Sequence, residues 1–265
     1  MCAARRSKVV ALKRGDANDS VVLVPGIGGS VLSLVWLARS HPGPRTVVAL
    51  EPVSLSDAPA TFASVADLAS SHLDAIRAAG GWGRRQLVGH CFGATVAMEM
   101  THQLEAAGEP PAAVALLQPF LRLAGDLDGD ERCRAELRQE AAGRLRSALH
   151  RPAAELERDP EVRRDLGWLD LDPAILGYGA TFARSLLDYA GFALRAYLDH
   201  VPRPIATPVH LLAAAGCGDE FTGAERRLRE LTGGVTLHEL PAPRGAVLRQ
   251  PHARAVAQTI ASLAG

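Results

Sequence analysis

Short aliphatic and β-branched runs alternate along this chain with stretches whose apolar positions recur at helical spacing. Residues 21–24, 46–50, 85–88, 113–117, 209–213 and 235–240 read as strands, with 8–12 as an edge strand. Residues 31–38, 64–79, 94–107, 224–231 and 253–263 read as helices. Such alternation predicts parallel βαβ units around one sheet. Between residues 125 and 200 the strand signal stops. Helical stretches at 131–149 and 153–166 are followed by an apolar cluster of Trp168, Leu169, Leu171, Ile175, Leu176 and Tyr178. A helical block between two strands of one sheet is an insertion over the strand ends, where open parallel sheets bind ligands. The expected organisation is an α/β core of residues 1–124 and 201–265, with a helical lid of 125–200.

Composition narrows the function by exclusion. Balanced charge, 29 basic against 29 acidic residues, leaves no basic footprint for nucleic acid, and an aromatic content of 5% leaves little for base stacking. Cys2, Cys91, Cys133 and Cys217 are scattered without a C-x-x-C pair, so neither a metal site nor a disulfide framework is expected. No apolar run reaches the length of a membrane span, and Arg5, Arg6 and Lys8 precede no apolar signal stretch. The expectation is a cytoplasmic protein without a membrane partner.

The candidate chemistry sits where residues 85–88 end. Gly89-His90-Cys91-Phe92-Gly93 has the form of a nucleophile elbow, G-x-S-x-G, with cysteine where serine usually stands. The glycines let a strand turn sharply into a helix and lift the middle side chain onto the helix N-terminus. Unpaired N–H groups and the positive dipole end favour a thiolate there, the nucleophilic form of cysteine. Cys91 therefore reads as an acyl acceptor. His90 is expected to point away from it, and His102 to be a surface residue beside Glu99 and Glu105. The Pro25-Gly26-Ile27-Gly28-Gly29-Ser30 loop has the glycines of a phosphate loop but not its lysine or spacing, so an oxyanion loop is the better reading.

Together the elbow, the glycine loop and the helical insertion resemble the α/β-hydrolase-fold thioesterases of nonribosomal peptide and polyketide assembly lines, in a cysteine-nucleophile variant. Residues 21–32 are similar to that family's first-strand loop, 87–100 to its elbow and following helix, and Arg249-Gln250-Pro251-His252 to the start of its last helix. The resemblance implies a mostly parallel central sheet flanked by helices. It also implies an acyl group delivered as a thioester on the phosphopantetheine arm of an acyl or peptidyl carrier protein, with no cofactor of the enzyme's own. An oxyanion hole would form from the backbone N–H of Phe92 and that of Gly26 or Ile27.

The chain departs from the family's Ser–Asp–His triad at all three places. Cys91 replaces the serine, Gln118 stands where the acid follows its strand, and Arg244 stands eight residues before His252, where the histidine is expected. Arginine stays protonated and cannot act as a base; it can stabilise a thiolate or a substrate carboxylate. The alternatives are a shifted register that brings His252 or His238 into the base role, or no side-chain base. His238 alternates with apolar residues and is expected on the solvent side of its strand. Asp219 is an alternative acid or a solvated loop residue. Passing an acyl group from one thiol to another is near thermoneutral, and water without a base is poorly activated. These departures favour transfer or cyclising release through an acyl-Cys91 intermediate. Hydrolysis with a displaced histidine and a non-catalytic carrier-binding scaffold are the alternatives.

Overall fold

Seven strands form one sheet, in the order β1-β3-β2-β4-β5-β6-β7. The computed structural model describes residues 7–52, 62–81, 83–119, 129–169, 171, 173–216 and 218–263, and of these the side chains other than 17, 129–135, 218–223 and 244. The strands are β1 (Lys8–Lys13), β2 (Asp16–Val24), β3 (Arg45–Glu51), β4 (Arg84–His90), β5 (Ala113–Leu117), β6 (Val209–Ala214) and β7 (Val235–Leu240). Among the described residues only β1, on the edge, pairs antiparallel; every other pairing is parallel. The β-branched runs are buried on both faces, as a sheet covered by crossover helices requires.

Helices α1 (Val35–Ser40) and α9 (His252–Ser262) cover one face, packing Leu37, Val256 and Ile260 on Val21, Leu23 and Val88. The opposite face carries α2 (Val65–Ala78), α3 (Phe92–Ala106) and α8 (Gly218–Leu231). The expected helix at 31–38 divides into a 3-10 turn, Val31–Leu34, and α1. Ser30 starts that turn by accepting the N–H of Leu32.

Among the described residues, four α-helices stand between β5 and β6: α4 (Gly129–Ala148), α5 (Ala153–Leu156), α6 (Pro160–Trp168) and α7 (Ala180–Asp199). The expected boundary at residue 125 lies outside the described residues. The expected helix at 153–166 is broken, because Pro160 takes the first position of α6 and Asp159 caps it, accepting the N–H groups of Glu161 and Val162. In the apolar cluster, Leu169, Leu171, Ile175 and Leu176 are buried, while Trp168 and Tyr178 are 37% and 54% exposed. Helix α7 presents a stripe of Phe182, Leu186, Tyr189, Ala193 and Tyr197, all buried. That stripe joins the insertion to Leu68, Val96 and Met100 of the core in one hydrophobic cluster. Each large side chain so buried contributes about 1.5–3 kcal/mol, so the insertion is docked on α2 and α3. Among the described residues, no helix is long and apolar enough to cross a membrane.

Candidate active site

Strand β4 ends at His90 and α3 begins at Phe92, so the chain turns from strand to helix across Cys91 alone. Cys91 has φ 52° and ψ −120°, a conformation that costs an L residue roughly 1–3 kcal/mol. The flanking glycines allow it. A Cβ on Gly89 would lie 2.3 Å from Gly93 O, and one on Gly93 would lie 2.3 Å from Val24 O. Two backbone bonds pin the turn: Cys91 N–H donates to Leu117 O at 3.0 Å, and Cys91 O accepts from Ala94 N–H at 3.0 Å. Half-buried Cys91 is thus the N-cap residue of α3, and the N–H groups of a first helical turn have no intrahelical acceptor. A sulfur there can approach an electrophile while backbone donors face the charge that develops on it.

The strand order places a second loop beside this turn. β3 and β4 lie on opposite sides of β2, so the segments leaving β2 and β4 meet at a topological switch point. The contact is close: a Cβ on Gly26 would lie 3.2 Å from Cys91 Cβ and 3.1 Å from His90 Nδ1. Gly29 N–H donates to Gly26 O at 2.9 Å, closing a turn, and Gly29 has φ +65°. The Ile27 side chain is buried in the core and anchors the loop. The main chain of Gly26 and that of Phe92 therefore lie beside Cys91 from two elements.

Gln118 stands at the end of the neighbouring strand. It follows β5, which pairs with β4, and its own φ is +46°. Its N–H donates to Leu212 O at 3.0 Å, and Nε2 reaches the same oxygen at 3.5 Å. Oε1 is buried and has no hydrogen-bond partner among the described residues.

His238 lies on β7 and His252 on α9, while His90 borders the Gly26 loop. His90 is buried. His238 is half-buried, correcting the solvent-side expectation: its Nε2 lies 3.1 Å from His210 Nδ1, with ring centroids 5.2 Å apart. Burial holds both imidazoles below the usual histidine range, and the neighbouring His238 adds to the effect on His210. The register His90–Leu117–Leu212–His238 spans three strand spacings, about 14 Å, so His238 is remote from the elbow. His252 opens α9 with its Nδ1 3.2 Å from Pro241 O.

Asp219 belongs to the first turn of α8 and not to a loop, and Arg244 opens the 3-10 turn Arg244–Ala246. The side chains of Asp219, Arg244 and Cys133 lie outside the described residues, as do Cys2 and Cys217. His102 is engaged: its Nδ1 donates to Pro204 O at 3.1 Å. One turn away on either side, Glu99 pairs with Arg203, and Glu105 accepts the N–H groups of Ala206 and Thr207 at 2.8 and 2.7 Å. This row on α3 clamps the chain where it re-enters the core. The local sequence reads as a polar helix face and gives no sign of it.

A mostly parallel seven-stranded sheet with a strand–turn–helix cysteine and helices inserted after β5 is an α/β-hydrolase-type fold. Within that fold the chain belongs to the thioesterase domain family, whose model matches residues 19–164. Its structure is similar to the Vlm2 thioesterase domain, solved with a bound dodecadepsipeptide, at 21% identity over 97% of this chain and 98% of that one, TM-score 0.69. It is also similar to the NocB thioesterase domain, solved as a covalent complex with a fluorophosphonate nocardicin G analogue. There the identity is 20% over 98% of this chain and all of that one, TM-score 0.66. A third similar structure is AB3403, a four-domain nonribosomal peptide synthetase: 23% identity over 96% of this chain and 20% of that one, TM-score 0.69. Indigoidine synthase of Dickeya dadantii (strain 3937) is 30% identical over 113 residues, which is 43% of this chain and 8% of that protein.

Proposed function

We propose that the protein takes an acyl or peptidyl group from the phosphopantetheine thioester of a carrier protein onto Cys91 and passes it to an acceptor, in nonribosomal peptide or polyketide biosynthesis. The sulfur of Cys91 attacks the thioester carbonyl. The oxyanion forms against the N–H of Phe92 and that of Gly26 or Ile27. Collapse expels the pantetheine sulfur, which leaves with the proton that Cys91 gave up, so one thioester replaces another. An acceptor thiol, amine or hydroxyl then takes the acyl group and restores the Cys91 thiol. The helical insertion acts as the lid over this site.

One observation carries the reading: Cys91 holds a strained positive φ at the N-cap of α3, with the main chain of Gly26 against it. A scaffold that only binds a carrier has no use for that strain. Gln118 and Arg244 take the positions of acid and base in this proposal, Arg244 as a charge near the sulfur or the substrate, with Asp219 the alternative acid and His252 the alternative base. Transfer or cyclisation then outruns hydrolysis, because water lacks a proton acceptor.

The test is intact mass spectrometry after incubation with an acyl-loaded carrier protein. A single acyl adduct is expected, lost in Cys91→Ala and retained in Cys91→Ser. Absence of an adduct with every carrier loading overturns the proposal. Product analysis with and without a second carrier separates transfer from release.

A further inference from the structure

The glycine loop beside Cys91 is shaped from above by the insertion. A Cβ on Gly28 would lie 2.1 Å from Leu171 Cδ2 and 3.2 Å from Leu171 Cγ. A Cβ on Gly29 would lie 2.5 Å from Tyr189 Cδ1 and 2.7 Å from Cε1. Leu171 and Tyr189 thus fill the space that side chains at positions 28 and 29 would need, and both are buried. Each is held in turn. Leu171 N–H donates to Leu166 O at 2.9 Å, and the Tyr189 ring packs on Phe192 at 5.8 Å, which packs on Phe62 at 5.7 Å. The loop's other side is fixed by Ile27 in the core and by Gly26 against Cys91.

We propose that Leu171 and Tyr189 are positioning residues for acyl transfer: they press the Gly28–Gly29 turn down so that the main chain of Gly26 and Ile27 faces Cys91. The inference rests on the acyl-Cys91 reading and adds to it a dependence of the oxyanion loop on the insertion. An insertion that serves only to cover the substrate would have no such influence on the loop.

The contact at Gly28 permits a clean test, because neither the main chain nor a positive φ obstructs a side chain there; the close atoms belong to Leu171. The probe is p-nitrophenyl acetate, whose attack by Cys91 Sγ releases p-nitrophenolate and leaves acetyl-Cys91. Iodoacetamide serves as control, since alkylation of the same sulfur builds no oxyanion. Gly28→Ala is expected to slow acetylation by about 10-fold or more, the scale of a misplaced oxyanion donor. Leu171→Ala slows it less, and the double variant acetylates faster than Gly28→Ala, because the new methyl enters the space that leucine vacates. Alkylation rates stay at the wild-type value throughout. Tyr189→Leu, which acts at Gly29, carries the test if Gly28→Ala fails to fold: slower acetylation with unchanged alkylation is expected. Multiplicative single effects, alkylation falling in parallel with acetylation, or unchanged acetylation in Leu171→Ala and Tyr189→Leu overturns the inference alone. A burst that survives Cys91→Ala overturns the nucleophile reading on which it rests.

Discussion

Cys91 and Gln118 stand side by side at the ends of β4 and β5, both with positive φ, and the Cys91 N–H donates to the carbonyl of the residue just before Gln118. Among the described residues, no other non-glycine residue has positive φ. Asparagine and aspartate tolerate this left-handed region better than glutamine does. The backbone at 118 therefore suits the acid that the thioesterase resemblance leads one to expect there.

Restoring that acid together with a base should redirect the reaction. Arg244→His alone is expected to raise the rate of free-acid formation, and Gln118→Asp with Arg244→His to raise it roughly 10-fold or more, as positioned general-base catalysis does. The measurement is the partition of acyl groups between water and a second carrier. Unchanged partition in the double variant would show that residue 244 does not occupy the base position.

Gly93→Ala is expected to destabilise the protein by about 1–3 kcal/mol or more, because its Cβ meets the carbonyl oxygens of Val24 and Pro25, and main chain cannot move aside as a side-chain tip can. Gly108→Ala is a useful comparison: its Cβ meets open space, so only its positive φ opposes the change. Denaturant midpoints of the two variants check this.

Stability should fall as the solution is acidified below the ordinary histidine range. His72 lies wholly buried on α2 with neither ring nitrogen hydrogen-bonded among the described residues, and burial pushes its pKa down to about 3. His41 is pushed down to about 4, by burial and then by the charges of Lys13 and Arg45. A depressed histidine costs nothing above about pH 6.5. Below it, the unfolded chain takes up a proton that the folded one refuses, at about 1.4 kcal/mol per pH unit for each such group. His72→Leu should flatten the fall between about pH 6 and 4, by up to one proton. Urea unfolding across that range measures it, and an unaltered slope would refute the assignment.

In the insertion, Arg144 forks onto Asp165, with Nε 2.7 Å from one carboxylate oxygen and Nη2 2.9 Å from the other. Asp165 is buried, and the bonds from Arg144 hold its carboxyl below the usual range against the opposing effect of burial. Stability from this group is present above the unfolded aspartate pKa and is lost as pH falls through the folded one. Arg144→Met should therefore lower the melting temperature at neutral pH, by an amount that shrinks once the medium drops below about pH 4. An equal loss at pH 7 and pH 3 would mean that packing, and not charge, joins α4 to α6.

The strands were legible because a doubly covered parallel sheet demands uninterrupted apolar runs, and Val21, Val48, Leu87 and Leu116 meet that demand locally. The elbow was legible because its two glycines are a steric necessity on either side of Cys91. The break before Pro160 was written in Asp159-Pro160, a helix-start signal outweighed by the continuous helical pattern around it. Leu171 on Gly28 and Tyr189 on Gly29 left no local trace, since contacts between residues more than 140 positions apart depend on how the insertion docks. The His210–His238 contact was hidden for a related reason: it needs the register of β6 against β7, which no single strand encodes.

The row of Glu99, His102 and Glu105 on α3 has a bearing on inheritance. The chain leaves the core just after a carbonyl bonded to Cys91 and returns onto the back of the helix that Cys91 caps. Both ends of the intervening segment are thus tied to one short piece of the molecule. A chimaera carrying a relative's segment between those ties should keep the Cys91 turn of the recipient and take from the donor the side chains that pack on Gly28 and Gly29.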